Sequence, residues 1–191
     1  MNRKEQIFKE AAKLFRKKGY HKTSMKDISD NIGLLKGSLY YHIESKEDLL
    51  YQIALNAITN YSKPLENICS ENIKPSKKLS KAVETHLTLI CEHLDETAVL
   101  INEYYKLPKK LKKHIDDRID EFESLFEKII YDGIQEGEFR KFDLENIKIM
   151  SNGILGMCNS LVRWYSQKGR FSTKEIANQF LSMILYGLRQ S

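Results

Sequence analysis

The sequence is poor in the residues that break helices. It contains three prolines and nine glycines in 191 residues, against an average usage of about 5% and about 7%. No proline occurs in residues 1–63 or 109–191, and apolar residues recur there at steps of three and four rather than in alternation. A β-sandwich or barrel needs more turns than so few breakers allow. These observations predict an all-α fold of about nine helices.

Long apolar runs and paired cysteines are also lacking. No uninterrupted apolar run exceeds four residues, whereas a membrane-spanning helix needs about 20. The first residues are basic but lack the apolar core of a secretory signal, so we expect a cytoplasmic protein. The three cysteines, Cys69, Cys91 and Cys158, form no CxxC pair. Neither a disulfide framework nor a cysteine zinc site is therefore predicted.

Two short helices are predicted after a first helix over about residues 2–18. Ser24 can cap the second helix, with Asp27 three residues on as in a capping box, and Gly33 ends it. A third helix over about residues 36–42 follows a short turn. These are the dimensions of a helix-turn-helix, whose second helix enters the DNA major groove. The same pattern also fits a plain helical hairpin within a bundle.

The distribution of charge favours DNA binding. Residues 1–50 hold 11 Lys or Arg against 7 Asp or Glu, whereas residues 51–191 hold 20 against 19. A basic excess binds phosphates because their neutralisation releases condensed counterions. In the third helix, Leu39 and Ile43 are the apolar residues that can anchor the helix in the core. The hydrogen-bond donors of that helix are Lys36, Ser38, Tyr40, Tyr41 and His42.

The block TSMKDISDNIGLLKGSLYYHIESK resembles the DNA-binding region of the TetR family of bacterial repressors. The first helix also fits that family. Three positions depart from the usual pattern: Ile43 replaces Phe, Ile32 replaces Ala, and Leu35 stands where Ser or Thr often caps the recognition helix. The matching residues are Ser24, Ile28, Gly33, Gly37, Ser38, Leu39, Tyr40, Tyr41, His42, Lys46 and Glu47, preceded by Ala11, Phe15, Gly19 and Thr23.

The resemblance implies roles for individual residues in binding double-stranded operator DNA. It implies a helix-turn-helix DNA-binding domain over residues 1–46 and a helical ligand-binding and dimerisation domain over residues 47–191. The residues expected at phosphates are Ser24, Ser38, Tyr41, His42 and Lys46. Those expected at base edges or thymine methyl groups are Lys26, Lys36, Gly37 and Tyr40.

The remaining helices are predicted over about residues 76–94, 96–106, 109–136, 143–167 and 173–190, after a fourth helix that begins at Ser45 and ends before Pro64. The last two resemble the helices with which TetR proteins form a four-helix bundle between subunits. Gly153, Gly156 and Ser160 form a stripe of small residues that permits close helix approach. Packing within one chain is the alternative explanation, but two DNA half-sites call for a homodimer.

A ligand pocket is expected among aromatic and polar residues of the central helices. The segment ILGMCNSLVRWYSQKGRFSTKEIANQF is similar to the C-terminal helices of TetR-type regulators that respond to fatty acyl or acyl-CoA compounds. The first candidate effector is therefore a fatty acyl-CoA or another apolar ligand. Lys109, Lys110, Lys112 and Lys113 could bind its phosphates, or Asp116 and Asp117 could simply offset their charge. The candidate pocket residues are Asn102, Tyr104, Tyr105, Phe122, Met150, Met157, Asn159 and Trp164.

No enzyme motif of the GxSxG, HExxH or P-loop type occurs. His86, Cys91 and His93 are poorly spaced for a metal site, so we expect no metal and no cofactor. The sequence therefore predicts a ligand-responsive repressor that a small molecule releases from a palindromic operator. The alternative is a helical protein-interaction module that does not bind DNA.

Overall fold

A computed structural model describes residues 3–188, except for the side chains of Lys36 and Leu144. Within this range the chain forms ten α-helices, one 3-10 turn and no β-strand, which confirms the predicted all-α fold. No helix in it is long and apolar enough to cross a membrane. The helices are α1 (Arg3–Lys18), α2 (Met25–Asn31), α3 (Lys36–His42), α4 (Lys46–Ser70), α5 (Pro75–Glu92), α6 (Leu94–Asn102), α7 (Lys109–Gln135), α8 (Leu144–Asn159), α9 (Leu161–Trp164) and α10 (Thr173–Leu188), with the 3-10 turn at Tyr104–Lys106.

The helices form two compact units. Unit 1 comprises residues 3–59 and 93–118, and unit 2 comprises residues 60–92 and 119–188. Helices α4 and α7 each contribute residues to both units without interruption.

Unit 1 is built around α1, which packs against α2 and against α6. Ile7, Ala11 and Phe15 of α1 are completely buried. Gly19 ends the helix with a positive φ of 84°, as its position in the sequence predicts. Arg16 of α1 forms an ion pair with Asp95 of α6, with 2.9 Å between Nη1 and Oδ1. The three N-terminal helices therefore share their core with a helix some 80 residues later in the chain.

Unit 2 is organised around α5, which contacts α8, α9 and α10. Leu79, Leu87 and Ile90 of α5 are completely buried. At the end of α7, Gly133 lies against the Phe139 ring, and a Cβ atom on this residue would clash with the ring. Glycine is therefore required where the chain after α7 folds back on that helix.

Helix α4 is longer than predicted. Pro64 lies inside the helix rather than beyond its end. Proline lacks the N–H that would bond the carbonyl of Asn60, but Leu65 and Ile68 continue the buried stripe. Burial of these side chains outweighs one missing hydrogen bond, so the helix continues to Ser70.

Two other predicted helices end earlier than expected. The helix predicted over residues 96–106 ends at Asn102 and is followed by the 3-10 turn. The helix predicted over residues 143–167 is divided at Ser160 and ends at Trp164. The Ser160 hydroxyl donates to the carbonyl of Met157 at 2.7 Å, and such side-chain bonds compete with the helix ladder.

Candidate nucleic-acid interface and ligand cavity

The start of α2 is fixed by the predicted capping box. The Ser24 hydroxyl accepts a hydrogen bond from the Asp27 amide at 3.1 Å, and the Ser24 amide donates to the Asp27 carboxylate at 2.8 Å. The Ser24 hydroxyl also donates to this carboxylate. Bonds from Ser24, together with Lys18, hold the pKa of Asp27 well below its usual range. The Ser24 hydroxyl, a predicted phosphate ligand, is thus engaged in capping.

The turn between α2 and α3 positions the second helix of the motif. Gly33 adopts a positive φ of 66°, and the Leu34 amide donates to the carbonyl of Ser29 at 2.9 Å. Leu35 occupies the N-cap of α3 without a side-chain bond and is 80% exposed. The Ile28, Leu39 and Ile43 side chains are buried, and they anchor α3 as the sequence predicts.

The opposite side of α3 faces outward, and we call its exposed residues the reading face: Gly37, Ser38, Tyr40 and Tyr41. Tyr41 is 86% exposed, and its ring contacts that of half-buried His42 edge to face at 5.2 Å. Lys26 of α2 is exposed as well. The Lys36 side chain lies outside the described residues. Two adjacent exposed tyrosines on a short helix are typical of a binding surface rather than of a core.

Lys46, at the start of α4, is held beside the loop that precedes α2. Its Nζ donates to the carbonyls of Tyr20 at 3.3 Å and Thr23 at 3.2 Å, and lies 4.4 Å from the centre of the Tyr20 ring. An ammonium group has three donors, so one remains for a phosphate. Burial, and next the nearby Glu47, raises the pKa of Tyr20 to about 12, which keeps the phenol protonated.

The loop between α1 and α2 is also hydrogen-bonded to the end of α6. The Tyr20 amide donates to Glu103 Oε2 at 3.0 Å, and Lys106 Nζ binds this oxygen at 2.5 Å. Glu103 and Lys106 are largely shielded from solvent. Tyr20 therefore links Lys46, beside the helix-turn-helix, to Glu103 at the end of α6.

The candidate pocket residues are distributed over both units. Asn102, Tyr104 and Tyr105 lie in unit 1, where the Tyr104 hydroxyl donates to Asp116 at 3.1 Å and Tyr105 is exposed. The other five candidates, Phe122, Met150, Met157, Asn159 and Trp164, lie in unit 2.

Only some of the unit 2 candidates come together in the described structure. Phe122 is buried, and Asn159 bonds to His86, whereas Trp164 is exposed. Met150 and Met157 are half-buried.

A small cavity lies in the core of unit 2, between α4, α5 and α7. Its volume is about 10 Å³, roughly the space that one water molecule needs. Phe122 is the one predicted pocket residue among those that line it. The lining residues, which define the unit 2 cavity, are Tyr61, Leu65, Ile68, Ala82, Thr85, His86, Leu89, Phe122 and Phe126.

His86 is the buried polar residue of this cavity that sequence reasoning did not assign to a ligand. It packs against Tyr61, Phe122 and Phe126, with ring centres 4.8, 5.5 and 6.2 Å away. The sequence could have identified His86 as a core residue by its position. It continues the apolar stripe formed by Leu79, Ala82, Val83 and Ile90. A histidine in such a stripe is a polar group in a core, whatever its spacing from Cys91 and His93.

The lysine cluster at the start of α7 is largely neutralised by its own helix. Lys112 Nζ lies 2.6 Å from Asp116, and Lys113 Nζ lies 2.9 Å from Asp117. Lys109 and Lys110 are exposed. The local ion pairs favour the simpler explanation, a solvated and charge-compensated face, over an anion site.

Helices α8 and α10 carry exposed apolar side chains, which we call the apolar patch: Ile149, Met183 and Tyr186. Ile149 is 66% and Tyr186 84% exposed. A Cβ atom added to Gly153, Gly156 or Gly187 would meet nothing within 4 Å. The two glycines of the predicted small-residue stripe therefore face open space in the single chain, whereas its third member, Ser160, is half-buried.

The three cysteines are free thiols. Burial raises the pKa of Cys158 to about 12 and also raises the pKa values of Cys69 and Cys91. Among residues 3–188 no cluster of three His, Cys, Asp or Glu side chains could hold a metal ion.

Two sequence profiles match this chain. One, described as "Bacterial regulatory proteins, tetR family", matches residues 7–53. The other, described as "Tetracyclin repressor-like, C-terminal domain", matches residues 72–188, which is more than half of the chain.

Curated and solved relatives agree with these profiles. The HTH-type transcriptional repressor KstR2 of Mycolicibacterium smegmatis is 27% identical over 100% of this chain and 92% of its own. The structure of the TetR family regulator PfmR from Thermus thermophilus is 29% identical, with a TM-score of 0.87 over 96% of this chain and 99% of its own. AibR, solved in complex with isovaleryl coenzyme A and operator DNA, is 24% identical, with a TM-score of 0.85 over 95% of this chain and 97% of its own.

The bonds of Glu103 lead to a stability prediction. Glu103→Ala leaves the buried Tyr20 amide and Lys106 without their shared acceptor, and we expect it to lower the free energy of unfolding by about 1–3 kcal/mol. Glu103→Gln keeps an acceptor for the amide and should cost less. Urea unfolding measures both, with exposed Glu92→Ala as the control. Equal stability of Glu103→Ala and the control would contradict the role given to this bond.

Proposed function

This chain belongs to the TetR family of bacterial regulatory proteins, and we infer that it is a homodimeric, DNA-binding repressor controlled by a small-molecule effector. It is a transcription regulator and not an enzyme. The observation that carries the inference is the exposed reading face on an α3 anchored by buried Leu39 and Ile43. Binding to an operator also implies that the protein acts in the cytoplasm.

We assign DNA binding to residues 1–46. Ser38, Tyr41, His42 and Lys46 would donate to phosphates and set the position of the helix on the duplex. Ser24 would join them only by turning its hydroxyl hydrogen from the Asp27 carboxylate to a phosphate. Lys26, Lys36, Gly37 and Tyr40 would meet the bases. Exposure of Gly37 and Tyr40 supports this assignment, since Gly37 permits close approach and Tyr40 presents a ring to a thymine methyl group.

We assign effector binding and dimerisation to residues 47–191. The apolar patch on α8 and α10 supports a subunit interface there, because large apolar side chains left exposed favour association. A two-fold dimer presents two copies of α3 to half-sites about one DNA turn apart, which implies a palindromic operator.

We propose an apolar effector, with fatty acyl-CoA as the first candidate. The lining of the unit 2 cavity is mostly aliphatic and aromatic, and AibR provides an example of a family member with an acyl-CoA. The cavity is far smaller than an acyl chain, so binding must displace side chains such as Leu65 and Leu89. An effector that requires such a rearrangement binds the rearranged conformation more tightly than the conformation that binds the operator. Release from DNA demands this difference in affinity.

Substitutions in α3 and α4 test the DNA-binding assignment. On operator duplexes selected from a random pool, we expect Tyr41→Ala and Lys46→Ala to weaken binding to all sequences alike, by about tenfold. Lys36→Ala should in addition change the preferred base. Fluorescence anisotropy at several salt concentrations measures this, and affinity should fall steeply with salt. Exposed Lys77→Ala on α5 is the control. A salt-independent interaction, or no duplex binding at all, would favour the protein-interaction alternative.

Charged substitutions in the apolar patch test the dimer. Ile149→Asp and Tyr186→Asp place charges where a partner subunit would bury them, so we expect monomers in analytical ultracentrifugation. Both side chains are exposed in the single chain, so the fold should survive. Tyr131→Asp changes an exposed tyrosine of α7 and is the matched control. Dimers of unchanged stability in both patch variants would reject this interface.

Acyl-CoA compounds test the effector proposal. We expect isovaleryl-CoA or palmitoyl-CoA to weaken operator binding by about 5–150-fold, the usual range of allosteric coupling. Free CoA, which lacks the acyl chain, is the control. Phe122→Ala alters the cavity lining and should change the response to acyl-CoA without changing operator affinity. Release by free CoA as effective as by the acyl compounds would refute an acyl effector.

A further inference from the structure

One of the two ring nitrogens of His86 has no hydrogen-bond partner among the residues that the structure describes. Nε2 lies 3.1 Å from Oδ1 of Asn159. Among the described residues, His86 Nδ1 and Ser151 Oγ are the buried side-chain polar atoms that have no hydrogen-bond partner. Of these two residues, His86 lines the unit 2 cavity. Buried polar atoms are nearly always bonded, so an exception at a cavity calls for an explanation.

The protonation state of His86 determines what Nδ1 can do. Burial lowers the pKa of His86 to about 4, against the smaller opposing effect of the bond to Asn159. The ring is therefore neutral at pH 7 and carries one proton. Because the Asn159 oxygen accepts a hydrogen bond, that proton lies on Nε2. Nδ1 is thus a hydrogen-bond acceptor with a free lone pair.

The rest of the lining limits what can approach this acceptor. The lining residues include no Lys, Arg, Asp or Glu. A carboxylate would find no cation there, and its oxygens would face the lone pair of Nδ1. An ammonium group would find no carboxylate, and burial of either ion is unfavourable. A neutral group with an O–H or N–H is the remaining kind of partner.

We propose that His86 is the polar anchor of the effector site, where Nδ1 accepts a hydrogen bond from a hydroxyl or amide N–H of an otherwise apolar effector. Asn159 fixes the proton on Nε2 and so keeps Nδ1 an acceptor. The inference rests on the proposed function, since it names the chemistry of the ligand in the same cavity. An acyl-CoA satisfies it through a hydroxyl on the acyl chain or a pantetheine amide, and a free fatty acid anion does not.

Isomeric probes test the donor requirement with the full-length protein. Octanol and heptyl methyl ether have the same atoms, but only the alcohol donates a hydrogen bond. Isothermal titration calorimetry should show octanol binding about fivefold tighter than the ether, and octanoate binding most weakly. Equal affinities for the two isomers, or tighter binding of octanoate, would overturn the proposal.

Substitution of the histidine locates the acceptor. His86→Phe keeps the ring contacts and removes both nitrogens, so it should bind the two isomers equally. His93→Phe changes a half-buried histidine that does not line the cavity and should keep the preference for octanol. A preference that persists in His86→Phe would overturn the proposal. If this variant fails to fold, the comparison of the two isomers in the unmodified protein still tests the requirement for a hydrogen-bond donor.

Operator binding measured on the same preparations separates this inference from the proposed function. Binding to DNA together with no affinity for octanol or the ether would overturn the anchor and the apolar effector but leave the regulator intact. Absence of DNA binding would reject the regulator itself. Equal binding of the isomers by a protein that binds operator would reject the anchor alone.

Discussion

The packing of α1 against both α2 and α6 is the interaction on which unit 1 depends. A module of about 45 residues buries little surface and is marginally stable by itself. Helix α1 resolves this because Ile7, Ala11 and Phe15 are completely buried between its neighbours. The reading face is consequently held by a core that includes residues from the middle of the chain. Helix α3 is therefore positioned through α2 and α1, and α1 in turn packs against α6.

Polar bonds supplement that packing at the loop between α1 and α2. Lys46, Tyr20 and Glu103 form a connected series of bonds in which each partner is at least half-buried. Helix α4 begins at this point and continues into unit 2, so the same helix contributes to the DNA-binding region and to the cavity lining. Pro64 interrupts its hydrogen-bond ladder at Asn60, the residue with which unit 2 begins.

Features determined by neighbouring residues were predictable from the sequence. The capping box of Ser24 and Asp27, the end of α1 at Gly19 and the bounds of α3 follow from residues three or four positions apart, and the structure confirms them. The course of α4 through Pro64 was not predictable, because it depends on burial of Leu65 and Ile68 by distant segments. The unit 2 cavity was not predictable for the same reason, because segments far apart in the sequence form it. Phe122 was predicted, whereas Tyr61, His86 and Phe126 meet only after three helices pack together.

A buried acceptor in a largely apolar cavity has a consequence for specificity. Apolar contacts give affinity but discriminate weakly, since one methylene group more or less changes binding by only about 1–3 kcal/mol. A buried acceptor discriminates more strongly, because a ligand without a donor leaves it unpaired in a nonpolar environment. The bond to Asn159 and the surrounding rings of Tyr61, Phe122 and Phe126 hold His86 in one orientation. In the proposed site, Nδ1 of His86 therefore selects among apolar ligands by one hydrogen bond.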